Sequence, residues 1–145
     1  MKRHTSLAPL SRQHHHALLL AQLLKTAAPD YKGMPNTPAG KAAYAVEFYK
    51  SDLLPHFAAE EAVFEKIMHL DNGLQVMLKE IVAEHAILRH LFEGMVANAR
   101  DVAYQNEVGM LLEKHIRREE RELFPLIERI ADEATLASLA TILHH

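Results

Sequence analysis

The chain has 145 residues, long enough for one domain (1–145) with a sizeable core, and 49% of them are hydrophobic, an ordinary share for a globular protein. A formal net charge of −3 offers no basic surface, so no nucleic-acid partner is expected. Cysteine is absent, which excludes disulfides, iron–sulfur clusters and thiolate zinc sites; this fits a reducing compartment, and a cytoplasmic location is expected.

The first 24 residues, "MKRHTSLAPLSRQHHHALLLAQLL", start basic, but their apolar run is too short for a membrane span and no small-residue cleavage signal follows. No signal peptide and no membrane partner are therefore expected. The pattern is helical almost throughout, without strand-like alternation of useful length. A first helix is expected over 9–27, closed by the Pro/Gly-rich loop "APDYKGMPNTP". A second runs over 39–69, with Pro55 as a kink or break. "DNG" at 71–73 reads as a turn. A third helix covers 74–99, and Asp101 is the candidate N-cap of a fourth over 102–131. Asp132 is a candidate cap for a short last helix. Four long helices with short connections predict an all-α, up-down-up-down four-helix bundle with a short C-terminal helix.

Histidine is the compositional outlier, at 11 residues. His144 and His145 read as a tag remnant or as native residues. His4 reads as part of a mobile end, His69 as an exposed residue, and His90 as a surface or partly buried one. The informative question is which histidines share a face with the core. The third helix presents Leu74, Leu78, Ile81, His85, Leu88, Phe92, Met95 and Ala99, an alternating spacing of four and three that marks a bundle core. His85 stands where Leu is expected. The second helix gives Ala45, Tyr49, Leu53, His56, Glu60, Val63 and Ile67. The fourth gives Val108, Leu112, His115, Glu119, Leu123, Leu126 and Ile130. In both, a His and a Glu one turn apart interrupt the stripe. On the first helix three histidines are adjacent. The stripe through His14 (Leu7, Leu10, Leu18, Ala21, Leu24) is apolar throughout, which makes His14 the first choice, His15 the next and His16 the third.

A lone His four residues before a Glu is usually a surface pair. Here "HFAAEEAVFEKI" (56–67) and "HIRREERELFPLI" (115–127) carry the same pattern twice, both times on the core stripe. Burying two carboxylates without compensation is strongly unfavourable. No Lys or Arg lies on these stripes at that level, so a multivalent cation is the economical partner of His14, His56, Glu60, His85, His115 and Glu119. Imidazole and carboxylate without sulfur suit iron or manganese. Six ligands exceed what one zinc ion uses, and two metals sharing the carboxylates fit better. Glu61 and Glu120 follow the inward carboxylates and read as acceptors for the site or as solvated groups. Tyr49 reads as a packing residue with a hydroxyl able to bond near the site.

At "SRQHHHALLLA", "HFAAEEAVF", "AEHAIL" and "HIRREERELFP" the chain resembles the hemerythrin-like (HHE cation-binding) family over nearly its whole length. The resemblance implies a four-helix bundle holding a non-haem di-iron centre, oxo- or hydroxo-bridged, with His14, His56, His85 and His115 terminal and Glu60 and Glu119 bridging. Oxygen-carrying members have a second His one turn after the first on the third helix; here that position is Arg89, which cannot ligate. The implied centre has one imidazole fewer and one more position for solvent or a carboxylate, which argues against reversible oxygen carriage. Relatives include sensors of oxygen or redox state, iron–sulfur repair proteins that react with nitric oxide, and iron-responsive regulatory domains. The expected function is binding or sensing of a small diatomic ligand, oxygen or nitric oxide, or of redox state or iron. The alternatives are a di-iron oxidase, peroxidase or nitric-oxide detoxification enzyme, and a metal-free helical bundle. The sequence leaves the oligomeric state open.

Overall fold

Prolines and capping residues divide the described chain, residues 2–143 of the computed structural model, into helices. His144 and His145 lie outside the described residues. The helices are α1 (Ala8–Leu24), α2 (Pro38–Phe48), α3 (Leu54–Ile67), α4 (Asn72–Glu93), α5 (Val102–Arg118), α6 (Phe124–Ile130) and α7 (Glu133–Leu143), and no strand is present among the described residues.

The starts follow side-chain chemistry. The Thr37 hydroxyl accepts the Gly40 N–H at 3.1 Å and Pro38 opens α2. Asp71, Asp101 and Asp132 accept from the N–H groups of Leu74, Tyr104 and Thr135 at 2.9, 3.0 and 2.8 Å. Asp71 is therefore a cap rather than the start of a turn. Asn72 and Gly73 belong to α4, and a 3₁₀ segment, Met68–Leu70, makes the reversal. α1 stops at Leu24, three residues short of expectation, because Lys25 takes extended backbone and its ammonium reaches Glu113 at 2.6 Å. α4 stops at Glu93, well before Ala99. The Tyr104 hydroxyl donates to the Leu91 carbonyl at 2.6 Å and occupies the space beside Gly94.

The expected interruption at Pro55 takes the form of a widened turn that divides the rod into two α-helices. A π-helical turn, Tyr49–Leu53, joins α2 to α3, and the Leu54 N–H reaches back five residues to the Tyr49 carbonyl. The same device, Glu119–Leu123, joins α5 to α6 ahead of Pro125, with the Phe124 N–H on the Glu119 carbonyl. A proline lacks an N–H and crowds the carbonyl four residues back; a wider turn relieves both problems. The extra residue also rotates the inward face. Beyond Glu119 the core is carried by Leu123, Phe124 and Ile127, while Leu126 and Ile130 are only partly buried.

α1 lies along α5, α5 against α4, α4 against the α2–α3 rod, and that rod against α1. Two apolar clusters fill this bundle, one on each side of a polar layer. α1 passes from Leu10 through His14 to Ala17, leaving one cluster for the other. The α2–α3 rod returns from Leu53 through His56 and Glu60 to Val63. α4 goes out from Ile81 through His85 to Leu88, and the α5–α6 rod returns from Leu112 through His115 and Glu119 to Leu123. This alternation is the up-down-up-down topology. α7 packs on α3 and adds Leu136 and Leu139 to the second cluster. The N-terminal segment is anchored: Arg3 pairs with Glu128 at 2.9 Å, and His4 bonds Glu128 through its N–H and Glu133 through its ring. His4 is thus held in place, contrary to the mobile end expected.

Candidate metal centre

Each helix of the bundle delivers its polar residue to one level because the heptad-like stripe carries it inward. His14 is buried, while His15 and His16 are exposed, so α1 contributes His14. His56, Glu60, His85, His115 and Glu119 are buried too, with both carboxylates fully so. The structure thus brings all six sequence-derived residues together. His69 is exposed, as expected, and His90 is exposed too.

The four rings share one orientation. Each Nδ1 faces outward to an oxygen acceptor, and each Nε2 faces inward. His14 Nδ1–H donates to Glu120 at 2.6 Å, His85 to Glu61 at 2.7 Å, His115 to Glu84 at 2.7 Å, and His56 to the Gln13 amide oxygen at 2.6 Å. Only a donor can face these oxygens, so the proton sits on Nδ1 and the Nε2 lone pair is aimed at the centre. Glu61 and Glu120 are therefore acceptors for the site. Sequence reasoning passed over Gln13 and Glu84. Their signal was their place immediately before His14 and His85, on the flank that meets the neighbouring helix.

Three of the four acceptors are backed by arginine. Arg89 lies 3.1 Å from Glu61, Arg118 lies 2.6 Å from Glu84, and Arg3 lies 3.4 Å from Glu120, which also takes the Ser11 hydroxyl at 2.8 Å. Arg118 also pairs with Glu80. Burial opposes ionisation of Glu84, but His115 and Arg118 hold its carboxyl below the usual range. Tyr49 does not serve the centre: its hydroxyl donates to Glu93 at 2.9 Å, and its ring stacks on Phe92.

At the centre itself, eight buried atoms have no hydrogen-bond partner: Nε2 of all four histidines and both carboxylate oxygens of Glu60 and Glu119. They nevertheless crowd one another. His14 Nε2 is 2.9 Å from Glu119 and 3.5 Å from Glu60; His85 Nε2 is 3.1 Å from Glu60 and 3.6 Å from Glu119. His56 and His115 each stand 3.3 Å from the Glu of their own helix. Lone pairs aimed at lone pairs in a dry interior are repulsive unless a positive charge lies between them. Two atoms binding one cation at about 2.1 Å with right-angle geometry lie about 3 Å apart, close to these separations.

With no cation, protons take up part of this role. Burial pulls the His14 imidazolium down, but Glu119, Glu120 and Glu60 raise it well above its ordinary value. Against the same burial, Glu119 and Glu60 lift His85 to about 10, and Glu119 and Glu84 lift His115 to about 9. Glu60 is held well below the usual carboxylate range by His56, His14 and His85, despite burial. Glu119 is held low by His115 and His14 against burial and the nearby Glu60.

The six residues form two overlapping groups of potential ligands: His14, His56, Glu60 and Glu119, and Glu60, His85, His115 and Glu119. In each group the ligand atoms all lie within 4.8 Å of one another. Both carboxylates belong to both groups. A helical bundle crossed by such a buried His/Glu layer has the form of bundles that hold metal between facing helices, and these two groups could bind a metal. Residues 5–127 match the model of the hemerythrin HHE cation binding domain, and the chain belongs to that family. No curated protein and no solved structure matches the chain.

Proposed function

We propose that the chain is a non-haem di-iron protein of hemerythrin type. In this reading His14, His56, Glu60 and Glu119 would hold one ion and Glu60, His85, His115 and Glu119 the other, with both carboxylates common to the two groups. The observation that carries it is the set of eight unpartnered, buried nitrogen and oxygen atoms converging as two groups with common carboxylates. An all-nitrogen-and-oxygen donor set with a large carboxylate share suits iron, with manganese the next choice and zinc after it.

A pair of ferrous ions held by these residues would supply electrons to a small diatomic ligand, oxygen or nitric oxide. The chain's own residues do the rest. The Nδ1 acceptors fix each imidazole's tautomer and direction. Phe57 stacks on His85 with ring centroids 4.3 Å apart, and Phe124 lies parallel to His14 at 5.5 Å; both keep the layer dry. Arg89, which stands where oxygen carriers have a further imidazole, supports Glu61, and no third carboxylate joins either ligand group among the described residues. This favours a sensing or binding role for oxygen, nitric oxide, redox state or iron over reversible oxygen transport. No described helix is long and apolar enough to cross a membrane, and a cytoplasmic place of work agrees with the absence of cysteine.

The test is metal analysis and visible absorption of protein expressed with iron and purified in air without a metal-affinity step. About two irons per chain and a coloured ferric pair are expected. A colourless protein with far less than one metal per chain would return the centre to a metal-free polar network. A second reading, a di-iron oxidase, peroxidase or nitric-oxide reductase, is favoured by a groove of about 570 Å³ that reaches His56. Steady turnover of peroxide or nitric oxide, lost in Glu119→Ala, distinguishes it from binding alone.

A further inference from the structure

The centre has an approximate internal two-fold relation. His14 corresponds to His85, His56 to His115, Glu60 to Glu119 and Glu61 to Glu120. Each single-His helix (α1, α4) gives its His to the layer, and that His takes its outer acceptor from the Glu after the bridging Glu of another rod: His14 from Glu120, His85 from Glu61. Each His–Glu helix takes the outer acceptor of its own His from the residue just before the single His: His115 from Glu84, His56 from Gln13. The inner distances repeat this relation. His56–Glu60 and His115–Glu119 are both 3.3 Å, and 2.9 and 3.5 Å around His14 match 3.1 and 3.6 Å around His85.

The relation fails at one pair. Glu84 is a carboxylate backed by Arg118, whereas Gln13 is a neutral, exposed amide. An imidazole that donates Nδ1–H to a carboxylate gains negative charge on Nε2 and binds a cation more strongly; an amide oxygen polarises the ring far less. The His85/His115 half therefore has two carboxylate-supported imidazoles, and the His14/His56 half has one. The two halves also differ in access. The groove of about 570 Å³ is lined by Gln13, Pro55, His56, Ala59, Ala62 and Ile142, while the depression beside Glu84 and His115 holds about 120 Å³.

We propose that the two ion positions are unequal by design of their outer partners: Gln13 makes the His14/His56 position the weaker, exchangeable one, and the groove floored by His56 is the route to it. Gln13 acts as a positioning residue through His56. The inference rests on the two-ion reading above. It assigns ion exchange to this half, the ion passing between α1, the Tyr49–Leu53 turn and the end of α7.

The experiment is anaerobic calorimetric titration of the ion-free full chain with ferrous iron. Any two adjacent cations bind in unequal steps, so the variants decide. Gln13→Glu is expected to tighten the weaker step by about tenfold and leave the tighter one in place; Glu84→Gln is expected to weaken the tighter step by a similar factor. Both changes narrow the gap from opposite sides, which a loss of folding stability does not do. Ala59→Leu, which fills the groove, is expected to slow chelator-driven release of the weaker ion only. Two ions bound with a gap that neither Gln13→Glu nor Glu84→Gln moves overturns the inequality while the two-ion reading stands. Unchanged release in Ala59→Leu overturns the route. Uptake of fewer than two ions by the unaltered chain defeats the two-ion reading and this proposal with it.

Discussion

Arg89 and His85 lie one turn apart on α4, yet they meet through a third residue. The same Glu61 oxygen accepts His85 Nδ1–H at 2.7 Å and faces the Arg89 guanidinium at 3.1 Å. The guanidinium also lies over the Phe57 ring, 5.5 Å from its centroid, and Phe57 stacks on His85. The position that breaks with the oxygen carriers is thus an outer support of the same imidazole.

From this relationship, Arg89→Gln is expected to keep the number of bound ions and weaken affinity by up to about tenfold, since outer partners orient ligands without touching the metal. Competition against a chromophoric chelator measures it. An ion count that drops to one per chain would show that Arg89 does more than hold Glu61.

His56→Ala and His115→Ala are each expected to lose metal. Each also leaves a fully buried carboxylate, Glu60 or Glu119, short of a partner. Breaking one side of a buried charged pair costs about 3 kcal/mol or more, which for a chain of this size lowers the melting temperature by roughly 10 °C. His69→Ala, at an exposed position, should change neither quantity. Metal analysis with thermal melts checks all three. Unchanged metal in both His56→Ala and His115→Ala would remove them from the ligand set.

The ion-free protein should lose stability in base. His85 and His115 are lifted to about 10 and about 9 because, against the opposing effect of burial, the neighbouring carboxylates favour the imidazolium. A group whose pKa rises on folding stabilises fully below its unfolded value, about 6.5, and loses that contribution as pH climbs through the folded one. The melting temperature of chelator-stripped protein is therefore expected to fall between about pH 6.5 and 10. Iron-loaded protein carries no proton on Nε2 and should fall much less, and metal uptake should release protons and strengthen as pH rises. Parallel melts of the two forms over that window test this, and identical pH profiles would contradict it.

Gly109 sets the spacing of α1 and α5. A Cβ there would stand 2.6 Å from the Ala21 carbonyl oxygen and 3.1 Å from Leu24 Cβ. Backbone cannot give way as a side-chain tip does. Gly109→Ala is expected to destabilise by about 1–3 kcal/mol, despite alanine's better helix propensity, by forcing the helices apart. Denaturant unfolding measures it; a more stable variant would mean that the helices have slack at this crossing.

The amino-acid sequence by itself determined the helices, the inward stripes and five residues of the layer, with the sixth narrowed to His14, His15 or His16. Helical periodicity is a local property: residues three and four apart must share a face, so a His or Glu on an apolar stripe is directed inward wherever the helix packs. Side-chain caps at Asp101 and Asp132 were legible for the same reason. The choice among His14, His15 and His16 needed packing, because neighbouring stripes differed only modestly in apolar character. The turns ahead of Pro55 and Pro125 were hidden as well. Whether a proline kinks a helix or widens one turn depends on what the neighbouring helices hold in register, and the choice moved the core face from Leu126 to Ile127. Gln13 and Glu84 were silent in sequence because a residue on a helix flank acquires its partner only when another helix arrives. The tertiary structure alone decided which acceptor stands behind each imidazole, since those bonds join residues from 24 to 106 positions apart across helix interfaces, where no local rule operates.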